Sequence, residues 1–291
     1  MSIDRRAAPK MRRTAWIGPA LRTERGGMGR LSFASALLAA ALAPWAGGAG
    51  AEELRCEQTV TEEVARLGRP PEVTTALQKV FLRKGAMRIE AADGSSIEIV
   101  RLDKERIWTL DPAAKTYEEV SFDDLREKIG KETEKLREDW PEEKLKQYPP
   151  SKRRIIEKKL GLVKPDVKVE EGSEARTICD LECREVRIIE DGQPRVDAWM
   201  AAREDLAQAA EAIREFSVLL ELSGALHKDV LEALRRGWGG LPVDLTISTS
   251  DGMVSRSRRT LLTSIERARK PDPALFEIPE GFKRVDEGDR E

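Results

Sequence analysis

Histidine is almost absent from this 291-residue sequence, and the single one, His227, follows a leucine in a predicted helix. The chain beyond the leader lacks H-E-x-x-H, G-x-S-x-G and S-x-x-K motifs and any glycine-rich phosphate loop. A lone helical histidine is far more often a surface residue than a general base. Acid–base carboxylate pairs stay open as an alternative, but no pair stands out among the many acidic residues. We therefore expect no catalytic residue, no cofactor and no enzymatic activity.

Long apolar runs are also scarce. The one candidate, Leu31 to Ala46, is about 16 residues long and mostly alanine, whereas a spanning helix needs about 20 strongly apolar residues. It is followed by Ala49-Gly50-Ala51, the A-x-A pattern of a signal-peptidase site. The sequence therefore predicts an export signal over residues 1–51, cleaved between Ala51 and Glu52, and no transmembrane segment in the mature chain.

Two further expectations concern this leader. The segment that begins at Met28 would itself be a normal bacterial signal peptide, so we expect translation to start there. Lipid attachment needs a small, uncharged triplet before the cysteine, and Glu53-Leu54-Arg55 before Cys56 is not one. The mature protein is expected to be unlipidated, soluble and periplasmic.

Excess positive charge is confined to the leader. Residues 1–51 hold 8 of the 51 basic residues but only 2 of the 53 acidic ones, which leaves an acidic mature chain. Binding to nucleic acid needs a concentrated basic surface. The composition therefore excludes nucleic acid as an expected partner.

Cysteine is limited to Cys56, Cys179 and Cys183. Zinc sites use more Cys and His ligands than this pattern offers, so we expect no metal. If residues 180–182 form a hairpin loop, Cys179 and Cys183 face each other about 4.5–5.5 Å apart, within disulfide range. On one continuous strand they would be roughly 13 Å apart, too far for a bond. A hairpin disulfide is favoured in an exported protein, with Cys56 left over unless it pairs with one of the two.

Alternating apolar and polar residues predict strands from Leu54 to Val120. Turn signals at Gly85, Asp93-Gly94, Asp103-Lys104 and Asp111-Pro112 are closely spaced, which predicts a meander of antiparallel hairpins. One face of this meander is expected to carry the apolar side chains and the other the polar ones. The predicted apolar face holds Met87, Ile89, Ile97, Ile99, Trp108 and Leu110.

The segment 121–160 differs in composition, since 22 of its side chains are charged and its apolar stripe is thin. Such a pattern predicts solvated helices, and Pro149-Pro150 is placed to begin one of them at Ser151. We interpret the segment as a charged helical insertion that packs lightly on the sheet and can be deleted. A dedicated partner-binding arm is the less favoured alternative.

The remaining chain predicts strands from Val167 to Met200, two amphipathic helices before and after Gly224, and a last hairpin turning at Asp251-Gly252. No internal repeat or linker separates two domains. Residues 52–291 are therefore predicted to form one α+β domain, a large antiparallel sheet with helices on one face.

Five stretches carry a resemblance through their order and spacing. They are RIWTLDPAAKTYEEV, YPPSKRRIIEKKLG, CREVRIIEDGQPRVDAWMA, GLPVDLTISTSDGMV and the closing LLTSIE with LFEIPEGFKRV. Together they resemble an uncharacterised bacterial envelope family, a domain of unknown function in the LolA/LolB-like lipoprotein-carrier superfamily. The resemblance implies a curved antiparallel half-barrel, closed by helices over an apolar cavity that holds acyl chains in the carriers. The long charged insertion and Cys179 at a turn position depart from the family pattern.

These observations predict a periplasmic binding or carrier protein for an apolar or lipid-like ligand, with envelope lipoproteins or outer-membrane components as partners. One alternative is an envelope interaction or stress-sensing module whose cavity is filled by its own helices. A weaker alternative is a hydrolase of envelope polymers. The predicted cavity is lined from the sheet by Met87, Ile89, Ile99, Trp108 and Trp199, and its helical lid carries Phe216, Leu219 and Leu220.

Overall fold

The computed structural model describes residues 53–202, 207–223, 226–237, 239–250, 254–268 and 272–286. The predicted start at Met28, the cleavage site between Ala51 and Glu52 and the turn at Asp251-Gly252 lie outside these residues. Within them, no helix combines the length and the apolar character that crossing a bilayer requires.

The described residues form strands and helices that we number in chain order. The strands are β1 Glu53–Arg66, β2 Glu72–Arg83, β3 Ala86–Ala91, β4 Ile97–Arg101, β5 Arg106–Asp111, β6 Thr116–Ser121, β7 Val167–Ile178, β8 Leu181–Glu190, β9 Gln193–Ala201, β10 Leu241–Ser250, β11 Val254–Ala268 and β12 Lys283–Arg284. The helices are α1 Phe122–Asp139, α2 Glu142–Leu145, α3 Pro150–Lys159, α4 Ala207–Ser223 and α5 Lys228–Gly237, and a 3-10 helix spans Pro273–Phe276.

All the strands join one open, curved sheet in the order β12-β6-β5-β4-β3-β2-β1-β11-β10-β9-β8-β7. Neighbouring strands are antiparallel, except that β12 runs parallel to β6. This architecture confirms the predicted α+β class with a large antiparallel sheet.

The predicted meander from β2 to β6 is confirmed, and its turns follow from local chemistry. Gly85 and Gly94 adopt φ values of 69° and 72°, a region that a residue without Cβ enters at no steric cost. Glu105 and Lys115 take the same left-handed region at the next two turns. The strands between these turns pair in sequence order.

The charged segment 121–160 is helical as predicted. It leads from β6, next to one end of the sheet, to β7 at the other end. The two strands it joins are ten strand positions apart, which is about 48 Å along the sheet. The strand order argues against the expectation that the segment can be deleted, because its removal would leave β6 and β7 to be joined across the sheet.

The ends of α1 and α3 are set by their first residues. Ser121 Oγ accepts the Asp124 N–H at 3.0 Å, and the Asp124 carboxylate accepts the Ser121 N–H at 3.1 Å. This reciprocal pair is a capping box that satisfies two backbone donors. Pro150 occupies the first turn of α3, where the missing N–H of proline costs nothing.

The three helices of this crossover have a small apolar cluster of their own. Leu145, Ile156 and Leu160 form its buried centre, and Leu136 and Trp140 pack against it. The thin apolar stripe seen in the sequence therefore packs largely against itself.

Candidate binding surface

Cross-strand register separates the residues predicted to line one cavity. Met87 pairs with Val100, whereas Arg88 pairs with Ile99, which in turn pairs with Trp108. Directly paired side chains lie on the same face of a sheet, and successive residues lie on opposite faces. The Met87 face, as we call it, carries Met87, Ile89, Val100 and Ile107. The opposite Trp108 face carries Ile97, Ile99, Trp108 and Leu110.

The predicted single apolar face was therefore wrong. Residues 272–286 cover the Trp108 face, where Ile278 and Phe282 pack against its apolar cluster. Arg88 donates to the Leu275 carbonyl at 3.0 Å, so this buried arginine belongs to the covered face. Because both faces of this part of the sheet are buried, the alternation of polar and apolar residues does not mark a single core side.

Trp199 does not join the other predicted lining residues. It pairs with Asp244 on β10 and so lies on the Trp108 face, but seven strand positions away from Trp108. The side chain is half-buried, and the Arg176 guanidinium lies 5.6 Å from its ring centroid. Trp199 and Trp108 belong to different regions of the sheet.

The predicted lid residues lie on α4, which contacts β10, α1 and α5. Phe216 and Leu219 are 0% exposed and Leu220 is 1% exposed, while Met87 on the sheet is 0% exposed. All four side chains are therefore buried in the folded chain.

The Met87 face also carries polar groups that sequence analysis missed. Glu98 Oε1 and Thr109 Oγ1, from directly paired residues, are shielded from solvent without a hydrogen-bond partner among the described residues. Burial raises the pKa of Glu98 to about 7, against the opposing effect of the positive charge on Arg258. The sequence places Glu98 between two isoleucines, which was the available signal that its strand has two buried faces.

A cavity of about 770 Å³ lies at the ends of the β8–β9 and β10–β11 hairpins. One wall carries hydroxyl groups, among them those of Ser248 and Ser257. The other wall is an ionic network in which Lys158 contacts Asp191 at 2.7 Å and Glu190 at 3.2 Å. Since Lys158 belongs to α3, this network anchors the end of the crossover to the far edge of the sheet.

Asp191 is the centre of that anchor. Burial alone would raise its pKa, but hydrogen bonds from Arg154, Lys158 and the Asp166 amide hold the pKa well below its ordinary range. Arg154 Nη2 lies 2.9 Å from the carboxylate. The Asp191 carboxylate is therefore ionised and is bound by two side chains of α3, Arg154 and Lys158.

The cysteine hairpin differs from the predicted one. Its turn is formed by Cys179 and Asp180, with φ values of 50° and 60°, and Cys183 lies opposite Arg176. The predicted loop at residues 180–182 was wrong by one residue, so Cys179 does not face Cys183. Both cysteines are free thiols in the structure.

The thiols are held in protein surroundings. Cys179 Sγ lies 3.0 Å from the Leu262 carbonyl oxygen. Cys183 is fully buried, and burial raises its pKa to about 11. A thiol in such a site reacts slowly, because the thiolate is the reactive form.

His227 has a structural role. Its Nδ1 accepts the Asp229 N–H at 3.2 Å, at the start of α5. No group of three or more His, Cys, Asp or Glu side chains within the described residues is arranged to hold a metal ion.

Exposed apolar side chains are concentrated at the hairpin of β1 and β2. Leu67 in its turn is 82% exposed, and Val73 and Leu77 on β2 are each 59% exposed. All side chains from Glu72 to Leu77 are exposed, on both faces of the strand. This part of the hairpin is a ribbon with little cover from the rest of the described chain.

One side of this ribbon lacks a neighbouring strand. β1 pairs with β2 back to Glu72, but β3 pairs with it only from Gln78 to Arg83. Residues 72–76 therefore have β1 on one side and no neighbour on the other among the described strands. We call this stretch the open edge.

Comparisons with known proteins name no family for this chain. No family model matches it, and no curated protein sequence matches it. An uncharacterised conserved protein from Thermus thermophilus has 8% identity and a TM-score of 0.37, over 80% of this chain and 90% of that one. A LolA superfamily protein from Nitrosomonas europaea has 7% identity and a TM-score of 0.28, over 77% of this chain and 90% of that one. The MucA/MucB complex of Pseudomonas aeruginosa gives 12% identity and a TM-score of 0.30, over 77% of this chain and 55% of that one. Likenesses this distant assign no function.

Proposed function

We propose that this protein is a non-enzymatic interaction module of the bacterial periplasm, which binds a partner protein on the outside of its sheet. The observation that supports this most strongly is the open edge, with Val73 and Leu77 exposed beside it. Contiguous exposed apolar groups on a soluble protein mark interaction sites more often than chance. The partner class fits the expectation of envelope lipoproteins or outer-membrane components.

The burial of the predicted lid residues supports this module over the carrier hypothesis. Phe216 and Leu219 have no accessible surface in the folded chain, so an acyl chain that contacts them would have to displace neighbouring side chains. Displacing buried leucine and phenylalanine side chains costs about 1.5–3 kcal/mol each.

Titration with lipids tests the proposal. Oleate and phosphatidylglycerol vesicles are added to the purified protein while tryptophan emission and ultracentrifugation report binding. We expect no saturable binding and no blue shift. Saturable binding that Phe216→Trp or Leu219→Ala alters would contradict the module and restore the carrier hypothesis, with Leu162→Ala as an exposed control.

A further inference from the structure

The backbone groups of the open edge alternate in direction, and the alternation is fixed by one hydrogen bond. The Leu77 carbonyl accepts the Ala92 N–H at 2.9 Å, so Leu77 directs its backbone toward the β3 side. In a strand, the N–H and C=O of every second residue point to the same side. Val73 and Thr75 therefore direct their N–H and C=O groups to the open edge, while Thr74 and Ala76 bond to β1.

Pro70, Pro71 and the charged Glu72 protect the start of the open edge, but the residues that follow carry no such group. Natural proteins block an edge strand with proline, lysine, a bulge or a covering loop. Residues 73–77 read VTTAL, contain no charge and no proline, and keep a regular register with β1. Their β-branched side chains suit an extended partner strand.

We propose that the open edge binds an extended peptide segment of a partner protein, which adds to the sheet antiparallel to β2. This inference rests on the proposed function and names its binding mode. Strand addition gives affinity through backbone hydrogen bonds and specificity through alternate side chains. Val73 and Thr75 supply the backbone groups, and apolar residues at every second position of the peptide lie beside Val73 and Leu77.

Charges at the two ends of the edge set the direction of the peptide. Arg69 is exposed in the turn before β2, whereas Asp93 is exposed in the turn after Ala92. The Asp93 pKa is lowered by its hydrogen bonds with Ser95, so the carboxylate is ionised at neutral pH. A peptide antiparallel to β2 begins near Asp93 and ends near Arg69. A basic N-terminal end and an acidic C-terminal end are complementary to this arrangement.

The edge is short, and its length limits the occupant. Only two residues direct backbone groups outward before β3 begins to pair at Gln78. A second copy of this chain would gain few bonds across two such edges and would bury far less than the roughly 800 Å² per partner of a stable interface. A flexible peptide can extend beyond the edge and lie on the Trp108 face, next to the paired residues Thr61 and Thr75. A peptide is therefore the better occupant.

The probe is the acetylated, amidated peptide KTVTVTD, whose two valines lie opposite Thr75 and Val73 in the proposed register. We expect micromolar binding by isothermal titration calorimetry. N-methylation of both valines removes the donors that face the edge, and should weaken binding at least tenfold. N-methylation of two threonines, whose N–H groups point away, should change it less than threefold. The reversed peptide DTVTVTK should bind several-fold more weakly, and equal affinity would overturn the assigned direction.

The matching protein variant is Thr75→Pro, which removes the outward N–H at a position where an edge strand tolerates proline. Thr75→Ala keeps that N–H and is the control. We expect KTVTVTD to bind at least tenfold more weakly to Thr75→Pro but not to Thr75→Ala. Circular dichroism and the melting temperature should show that both variants fold. No binding of KTVTVTD, or equal binding to both variants, would overturn strand addition. Neither result would restore the carrier hypothesis, because the lipid titration tests that hypothesis separately. A concentration-dependent dimer that Thr75→Pro abolishes would assign the edge to a second copy instead.

Discussion

At the scale of single residues, Glu98 is the side chain whose environment departs furthest from what its sequence position indicates. Its pKa is raised to about 7 by burial, so the folded state holds a proton that the unfolded state releases near pH 4.5. The contribution of Glu98 to stability is therefore largest below about pH 4.5 and is lost as the pH rises to about 7.

Glu98→Gln removes this titration. We expect the variant to be more stable than the wild type at pH 8 by about 1–3 kcal/mol, and close to it at pH 4.5. Urea unfolding at the two pH values measures the difference. Glu170→Gln, on the exposed face of β7, is the control. A Glu98→Gln effect independent of pH would show that Glu98 has the same pKa in the folded and unfolded protein.

The cysteines give a second prediction at this scale. Because Cys56 and Cys183 are buried, we expect slow reaction with Ellman's reagent in the native protein. Unfolding without reductant should release three reactive thiols per chain. One reactive thiol after unfolding would instead reveal a disulfide and contradict the free state.

Among the elements, α3 depends on the anchor at Asp191. The Asp191 pKa is held below its ordinary range, so the contribution to stability is present above about pH 4 and is lost as the pH falls through the lowered pKa. We expect Asp191→Asn to lower stability at pH 7 by about 1–3 kcal/mol and to speed amide exchange in α3. Asparagine tolerates the φ of 50° at this position, so the change reports on charge. Asp286→Asn, which alters an exposed ion pair with Arg284, is the control; equal effects of the two variants would rule out the anchor.

The elements also show which features of the fold could be predicted from the sequence. Turn residues such as Gly85 and Gly94 located the meander, and Pro150 located the start of α3, because each acts through its own backbone geometry. That Met87 and Trp108 lie on opposite faces could not be predicted, since it depends on the register between strands. A difference of one residue moves a side chain to the opposite face, and the cysteine turn was missed for the same reason.

For the whole molecule, the order of strands is what sequence analysis could not supply. β6 and β7 are consecutive in the chain but lie near opposite ends of the sheet, and no local signal encodes that separation. The candidate site was missed for a related reason. VTTAL reads as an ordinary strand, and only the point at which β3 stops pairing reveals an open edge.

This topology yields a prediction about the crossover. Deleting Phe122 to Leu160 and joining the ends with a short glycine-serine bridge should abolish cooperative thermal unfolding, because the bridge cannot span the sheet. A control with a bridge of about 40 flexible residues should recover a folded, less stable protein. Cooperative unfolding with the short bridge would contradict the strand order.

The central claim, that binding occurs at the open edge and not in the interior, is tested most directly by amide hydrogen exchange of the full protein with and without KTVTVTD. In the free protein, the Val73 and Thr75 amides should exchange fast, while the neighbouring Thr74 and Ala76 amides, bonded to β1, exchange slowly. With peptide, the account predicts protection of Val73 and Thr75 and no change in α4. Unchanged exchange at Val73 and Thr75, or protection confined to α4 around Phe216 and Leu219, would contradict it.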